Sequence, residues 1–188
     1  MAKIFENDNC KVITGEVRLS YLHVFEPYAS TPDKDPQYSA SLIVPKTDKA
    51  TIAVIEEAIQ NAIDKGQTSV WGGKVPKTLH RPLRDGDEER DDDAYAGSFF
   101  LNANSKKRKP GVVDSHKETL YSSDELKSGD YGKVAIRFYP YSSNGNNGVA
   151  VALDNIMKTR DGEALGGGAA KPESDFEGEW DEDLADVL

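Results

Sequence analysis

Cysteine is almost missing from this chain, with one, Cys10, among 188 residues. A single thiol cannot close an internal disulfide, which excludes a disulfide-stapled scaffold and fits a reducing compartment. No stretch approaches the roughly 18 apolar residues of a membrane-spanning helix, so no membrane partner is expected. The opening Met1-Ala2-Lys3-Ile4-Phe5-Glu6 has neither an apolar secretory core nor a cleavage pattern, and a cytoplasmic setting is expected. Histidine is also scarce. His23, His80 and His116 are scattered, with no Cys or carboxylate at metal-ligand spacing. No Gly-x-Ser-x-Gly elbow is present, and Gly166-Gly167-Gly168 lacks the Lys-Ser/Thr of a phosphate loop. Internal repeats are absent. These gaps leave no catalytic residue, cofactor or metal to expect.

What is abundant is acid, and it is unevenly spread. The net charge is −10. Residues 161–188 hold ten acids and one base, and residues 85–93 hold seven acids and Arg90. The rest of the chain is therefore net basic, at +5. Such asymmetry marks an interaction tail. The glycines around residue 166 and Ala169-Ala170-Lys171-Pro172 are linker chemistry, costly to order. Beyond them the charges repel, and too few apolar groups remain to offset ordering entropy. A folded domain over 1–160 and a disordered Gly-rich linker with acidic tail over 161–188 are expected. Phe176, Trp180, Leu184, Val187 and Leu188 interrupt the acids at intervals a partner groove can read.

The body alternates like a β-protein. Lys11 to Phe25 reads as one long strand, with Ile13, Val17, Leu19 and Tyr21 on one parity and Leu22 and Val24 on the other. A bulge near Ser20 explains the switch. Tyr38 to Val44 is a second strand, ended by Pro45. A helix follows, capped by Thr47 or Asp48. Its apolar face is Ile52, Ile55, Ala58, Ile59, Ala62 and Ile63, and Gly66 suits the position just past its end. Residues 67–97 lack periodicity. Ser98 to Ala103 is a third strand, with Phe100, Asn102 and Asn104 on its second face, and Val112-Val113 is a short return. Tyr131 to Tyr141 and Gly148 to Ile156 form a hairpin around Asn144-Gly145. The sum is about five strands and one helix, a mainly β fold with a core of Ile13, Val17, Leu19, Leu42, Val134, Ile136, Phe138, Val149 and Val151.

The strand from Tyr131 to Tyr141 carries the chemical signal. Val134, Ile136 and Phe138 take one face. Tyr131, Lys133, Arg137, Tyr139 and Tyr141 take the other. Same-face residues repeat about every 6.6–6.8 Å along a strand, which lets rings stack on successive unstacked bases and cations follow the phosphates. Phe100, Asn102 and Asn104 extend that surface from a neighbouring strand. Lys106, Lys107, Arg108 and Lys109 form a basic loop able to clamp a backbone. A tethered polyanion complements such a groove. It can occupy the cations until nucleic acid displaces it, and tethering makes a weak affinity sufficient. The Asp85–Asp93 run reads as a solvated, self-repelling loop.

Three segments resemble a known family: "VITGEVRLSYLHVFEPY", "YSASLIVPK", and "GKVAIRFYPYSSNGNNGVAVALDNIMKTRDGE". Over about residues 10–163 the chain looks like the tailed-phage single-stranded DNA-binding proteins once filed as a domain of unknown function. The resemblance implies an OB-type five-stranded barrel with one capping α-helix, binding single-stranded DNA without strong sequence preference in phage DNA replication or recombination, in the host cytoplasm. Its binding surface would include Lys133, Arg137, Tyr139 and Tyr141, with Trp71, Phe100 and the basic loop beside them. The ending Trp180, Asp181, Glu182, Asp183, Leu184, Asp186, Val187, Leu188 is similar to tails that recruit replication or recombination proteins, although those commonly end in Phe. The helix follows the second strand, whereas the common OB order puts it after the third. Either a short strand hides in residues 66–80 or the topology is a variant. Two other classes stay open. One is an acidic DNA-mimic interaction protein; the other is a metal-dependent nuclease using the Asp85–Asp93 carboxylates. A homo-oligomer is compatible with the sequence.

Overall fold

The computed structural model describes residues 1–165. Its strands are β1 (Lys3–Phe5), β2 (Asp8–Ile13), β3 (Val17–Tyr28), β4 (Gln37–Pro45), β5 (Arg84–Asp85), β6 (Ser98–Ser105), β7 (Gly111–Val113), β8 (Tyr131–Ser143) and β9 (Asn146–Arg160). One long helix, α1 (Lys49–Ser69), lies between β4 and β5, and a single-turn helix, α2 (Gly86–Glu89), precedes a 3-10 turn at Asp93–Tyr95. Among the described residues no helix is long and apolar enough to cross a membrane.

Five strands close on themselves. Leu19 of β3 pairs with Leu42 of β4, Leu42 with Leu101 of β6, and Asn104 of β6 runs parallel to Ala152 of β9. Val151 of β9 pairs with Phe138 of β8, and Gly132 of β8 returns to Val17 of β3. A closed ring leaves no unpaired edge among these five strands. The inward side chains form one core that includes Val17, Leu19, Leu42, Leu101, Val134, Ile136, Phe138, Val149 and Val151. Helix α1 packs Ile55, Ala58, Ile59, Ala62 and Ile63 against it. Asp48 starts the helix, its Oδ1 accepting the Thr51 amide at 3.1 Å, as its sequence position suggested. This is the expected OB-type barrel with a capping helix.

Local differences have clear causes. Lys11 to Phe25 is two strands, broken at Thr14-Gly15-Glu16. Buried Thr14 exchanges hydrogen bonds with Val134, and the Gly15 amide donates to Thr51 Oγ1 at 3.1 Å. A side chain at Gly15 would meet that oxygen at 2.7 Å. The break shifts the phase, so Val12 is buried and Ile13, expected in the core, is only half-buried. The expected bulge is present one residue late. Tyr21 has φ +46° and the β3–β4 register slips between Ser20 and His23. Gly66 does not end α1 but lies inside it. A Cβ there would be 2.5 Å from Pro140 Cβ and 2.6 Å from the Trp71 ring, so glycine lets the helix touch β8. No strand lies in residues 66–80, and α1 stands between the second and third barrel strands. The variant order is the correct reading of that alternative.

The end of the described chain is tied down. Gly162 N donates to Asp130 Oδ1 at 3.0 Å, Arg18 donates to Glu163 O at 2.8 Å, and Leu165 N donates to Ser128 O at 3.1 Å. Residues 161–165, assigned to the tail from sequence, are a strap on the barrel. The remainder of that tail, including Trp180, Asp181, Glu182, Asp183, Leu184, Asp186, Val187 and Leu188, lies outside the described residues.

Candidate nucleic-acid interface

OB barrels bind oligonucleotides on the outer face of their second and third strands, between the loop after the first strand and the last hairpin. Here those parts are β4, β6, residues 29–36 and the β8–β9 turn. Pairing registers place one continuous outer row across six strands: His23, Ser39, Asn104, Ala152, Arg137 and Lys11. At about 4.8 Å between strands the row runs roughly 24 Å. Ring chemistry lies at the His23 end, where His23 stacks on Tyr28 at 4.4 Å. Cations lie at the other end. Tyr139, 44% exposed, points out two residues beyond Arg137.

A cleft of about 770 Å³ adjoins the row, lined among others by Arg81, Arg84, Asn102, Asn104, Tyr141 and Asn146. One wall is the tight hairpin turn, whose Asn144 and Gly145 both take positive φ (51° and 80°), the geometry that matches strand twist. The opposite wall is pinned to that hairpin. His80 N donates to Asn147 O at 2.9 Å, and Val149 N to His80 O at 3.0 Å. Lys106, Lys107, Arg108 and Lys109 are all exposed. Their loop springs from Ser105, next to Asn104, and borders Tyr38 of β4.

The cations are parked on carboxylates. Arg137 contacts Asp8 at 3.0 Å and Asp154 at 3.5 Å, Arg81 contacts Glu56 at 2.8 Å, and Arg84 contacts Glu89 at 2.7 Å. Exposed pairs of this kind contribute roughly 0–1 kcal/mol. A phosphate can therefore replace the carboxylate at little cost, and the pairing holds each guanidinium in place meanwhile.

Several residues assigned from sequence stand elsewhere. Phe100 is fully buried, edge-on to Tyr95 at 5.2 Å, so its ring is not offered to a base. Tyr131 faces outward but is covered: the Arg160 guanidinium lies 3.6 Å from its ring centroid and Arg18 5.7 Å. Trp71 is half-buried against Gly66, its indole N–H donating to Tyr141 O at 3.3 Å, and it supports the cleft from behind. Lys133 lies on the β8 face at a separate apolar hollow with Phe5, Ile13 and Met157.

Six of the seven acids in the Asp85–Asp93 run are exposed, as a solvated loop would have them, but the run is also anchored at its start. Lys46 Nζ bridges Asp85 and Asp87, each at 2.8 Å. That hydrogen-bonded ammonium holds both carboxyls below their usual range, and the Asp85 and Asp87 carboxylates raise Lys46 in turn. Buried Tyr95 donates to Ser41 Oγ at 3.1 Å. Arg90 sits over Phe100, Tyr95 and Tyr21 at 4.8, 5.2 and 5.8 Å. The segment is a wall packed on the outer face beside the row. No three His, Cys, Asp or Glu residues among those described converge as a metal site. Arg81, Arg84, His23 and Tyr28 escaped sequence analysis. The first two lie in an aperiodic stretch, and the bulge at Tyr21 hides the parity of the others.

A closed five-strand barrel with rings, amides and movable cations in one outer row belongs to the class of OB-type nucleic-acid-binding proteins. Residues 10–188 match the family model described as Enterobacter phage Enc34, ssDNA-binding protein. The chain belongs to that family of phage single-stranded DNA-binding proteins. It is 30% identical over 177 residues to protein p50 of Acyrthosiphon pisum secondary endosymbiont phage 1, covering 89% of this chain and 92% of the relative. Its structure is similar to the single-stranded DNA-binding protein from bacteriophage Enc34 solved in complex with ssDNA, with TM-score 0.73 and 25% identity over 84% of this chain and 90% of that one. The fold is also similar to gp2.5 of bacteriophage T7, with TM-score 0.56 and 20% identity over 97% of each chain.

Proposed function

We propose that this chain binds single-stranded DNA without strong sequence preference during phage DNA replication or recombination, in the host cytoplasm, and without catalysing a reaction. The observation that carries this reading is the outer row from His23 to Lys11, continuous with the Arg81–Arg84 cleft and bordered by the Lys106–Lys109 loop. Arg137 and the Lys106–Lys109 loop take phosphates; Tyr139 and Tyr141 stack on bases. Stacking and phosphate contacts are tolerant of sequence, because every base has a flat face and every nucleotide a charge. The Enc34 protein solved with ssDNA supports the same reading.

The acidic tail competes for these cations at low salt and carries its apolar residues to replication or recombination proteins. The test is a titration of fluorescent oligo(dT) of about 30 nucleotides, room for more than one site of roughly 4–16 each, with duplex DNA as competitor. Tight, salt-sensitive binding that duplex fails to compete is expected. Absence of binding at low salt, both in the intact chain and in one with neutralised tail carboxylates, would overturn the reading and favour an acidic DNA mimic.

A further inference from the structure

A hollow of about 280 Å³ lies on the outer face of β2, β8 and β9, away from the Arg81–Arg84 cleft. Phe5, Ile13, Ala135 and Met157 give it an apolar floor. Lysines rim it. Lys11 lies 4.9 Å and Lys3 5.8 Å from the Phe5 ring centroid, and Lys133 lines the wall. Lys11 also holds Asp154 at 3.2 Å, whereas Lys3 and Lys133 have no carboxylate within 4.0 Å among the described residues. An apolar floor with a basic rim suits a ligand of opposite design: an acidic peptide with spaced apolar side chains.

Residues 166–188 have that design, with eight acids, one base, and Phe176, Trp180, Leu184, Val187 and Leu188 among them. Reach is also satisfied. Leu165 N is bonded to Ser128 O, and Lys133 is five residues along the chain from Ser128. Five residues span at most about 17 Å. At the dimensions of a Gly-rich linker, 23 residues span about 26 Å on average. The hollow beside Leu165 itself is lined by Asp92, Tyr21 and His23, and its carboxylate suits a polyanion poorly.

Building on the tail competition described under Proposed function, we propose that the hollow is the docking site of this chain's own C-terminal segment. Apolar side chains around Trp180 and Leu184 fill it, and the intervening carboxylates pair with Lys3, Lys11 and Lys133. Lys11 stands opposite Arg137 in the β2–β8 register, so the docked segment covers the cationic end of the outer row. DNA that reaches Arg137 and Lys11 removes part of the rim and releases the segment for partners. At the roughly millimolar effective concentration a short tether provides, one or two side chains and a few weak charge pairs suffice, and such weakness keeps the segment displaceable.

The test uses the full chain with carbon-13 in its methionine and isoleucine methyl groups. Ile13 and Met157 line the hollow, while Ile55 and Ile59 of α1 are fully buried in the barrel core and serve as controls. Replacing Trp180, Leu184 and Val187 by Ser leaves every charge in place. This variant is expected to move the Ile13 and Met157 methyls and not the two core ones. Lys133→Glu is expected to move the same two in the same direction, as is saturating oligo(dT). The difference between intact and substituted chains is expected to persist on dilution. Hollow methyls indifferent to the tail substitutions would overturn docking. A difference that fades on dilution would also overturn it, in favour of a neighbouring copy's tail. DNA binding measured on the same samples separates the two readings. Binding with indifferent methyls removes only the docking site; responsive methyls without binding remove only the DNA function.

Discussion

The two ends of β8 carry the same kinds of residue and behave oppositely. Toward the hairpin, Arg137, Tyr139 and Tyr141 face outward over exchangeable surface pairs. Toward the start of the strand, Tyr131 has Arg160 and Arg18 on its ring. Beneath it lies Asp130, fully buried, contacting Lys158 at 3.2 Å. Burial opposes the charge on Asp130, yet the Lys127 and Gly162 amides and the Lys158 ammonium outweigh it and hold the carboxyl below its usual range. Lys158 is likewise raised by Asp161 and Asp130 against the cost of its burial. Glu16 adds to this end, lowered mainly by the Thr159 hydroxyl, with Arg160 second among its hydrogen bonds. One end is a structural lock that anchors the strap; the other is an open surface. Alternating Tyr and cations on a strand are therefore not sufficient to make a binding face. Partners distant in sequence, here Arg160 and Arg18, decide which rings stay available.

The largest expected effect lies at the lock. Asp130→Asn leaves Lys158 facing an uncharged, buried amide and should cost about 3–5 kcal/mol of stability, read as a lower urea midpoint. Affinity for oligo(dT) in the folded fraction should be unchanged. The same lock sets an acid limit. Because its folded value is depressed, Asp130 contributes stability above its ordinary value of 3.8, and that contribution is lost as pH falls through the lower folded value. A denaturation midpoint that declines below about pH 4 in the parent, and declines less in Asp130→Asn, is the expected pattern.

At the open end, Tyr139→Ala should weaken oligo(dT) binding by about 1–3 kcal/mol, the value of one base–ring stack. Tyr131→Ala should leave affinity within error while lowering stability. Equal losses of affinity from both would erase the difference between the two ends. The smallest effect concerns charge. Arg137→Ala should weaken binding to all sequences alike and make the salt dependence shallower by about 0.7 log units per log unit of salt. An unchanged slope would mean that Arg137 serves Asp8 and Asp154 rather than DNA.

The legible parts of the sequence were the local ones. The hairpin turn, the apolar face of α1, the inward parity of β8 and β9, and the outward Asn102 and Asn104 all follow from residues within a few positions of each other. What escaped depended on distant neighbours. Gly66 reads as a helix end until Pro140 and Trp71 are seen against it. Phe100 reads as an outer-face ring until Tyr95 and Arg90 fold over it. The phase slips at Gly15 and Tyr21 moved Ile13 out of the core and hid the His23–Tyr28 stack. The Asp85–Asp93 run keeps six of its seven acids exposed, as its composition suggests, but its anchoring by Lys46 and the packing of Arg90 on Phe100 and Tyr95 depend on distant partners.

The most direct measurement is ultraviolet cross-linking of oligo(dT) to the full chain, with the attached residues mapped by mass spectrometry. Cross-links confined to Tyr139, Tyr141, Tyr28, His23 and the loop from Lys106 to Lys109 are the expected result. Cross-links concentrated at Tyr131, with none along the row from His23 to Arg137, would contradict the assignment of the open end of β8 as the DNA-binding face.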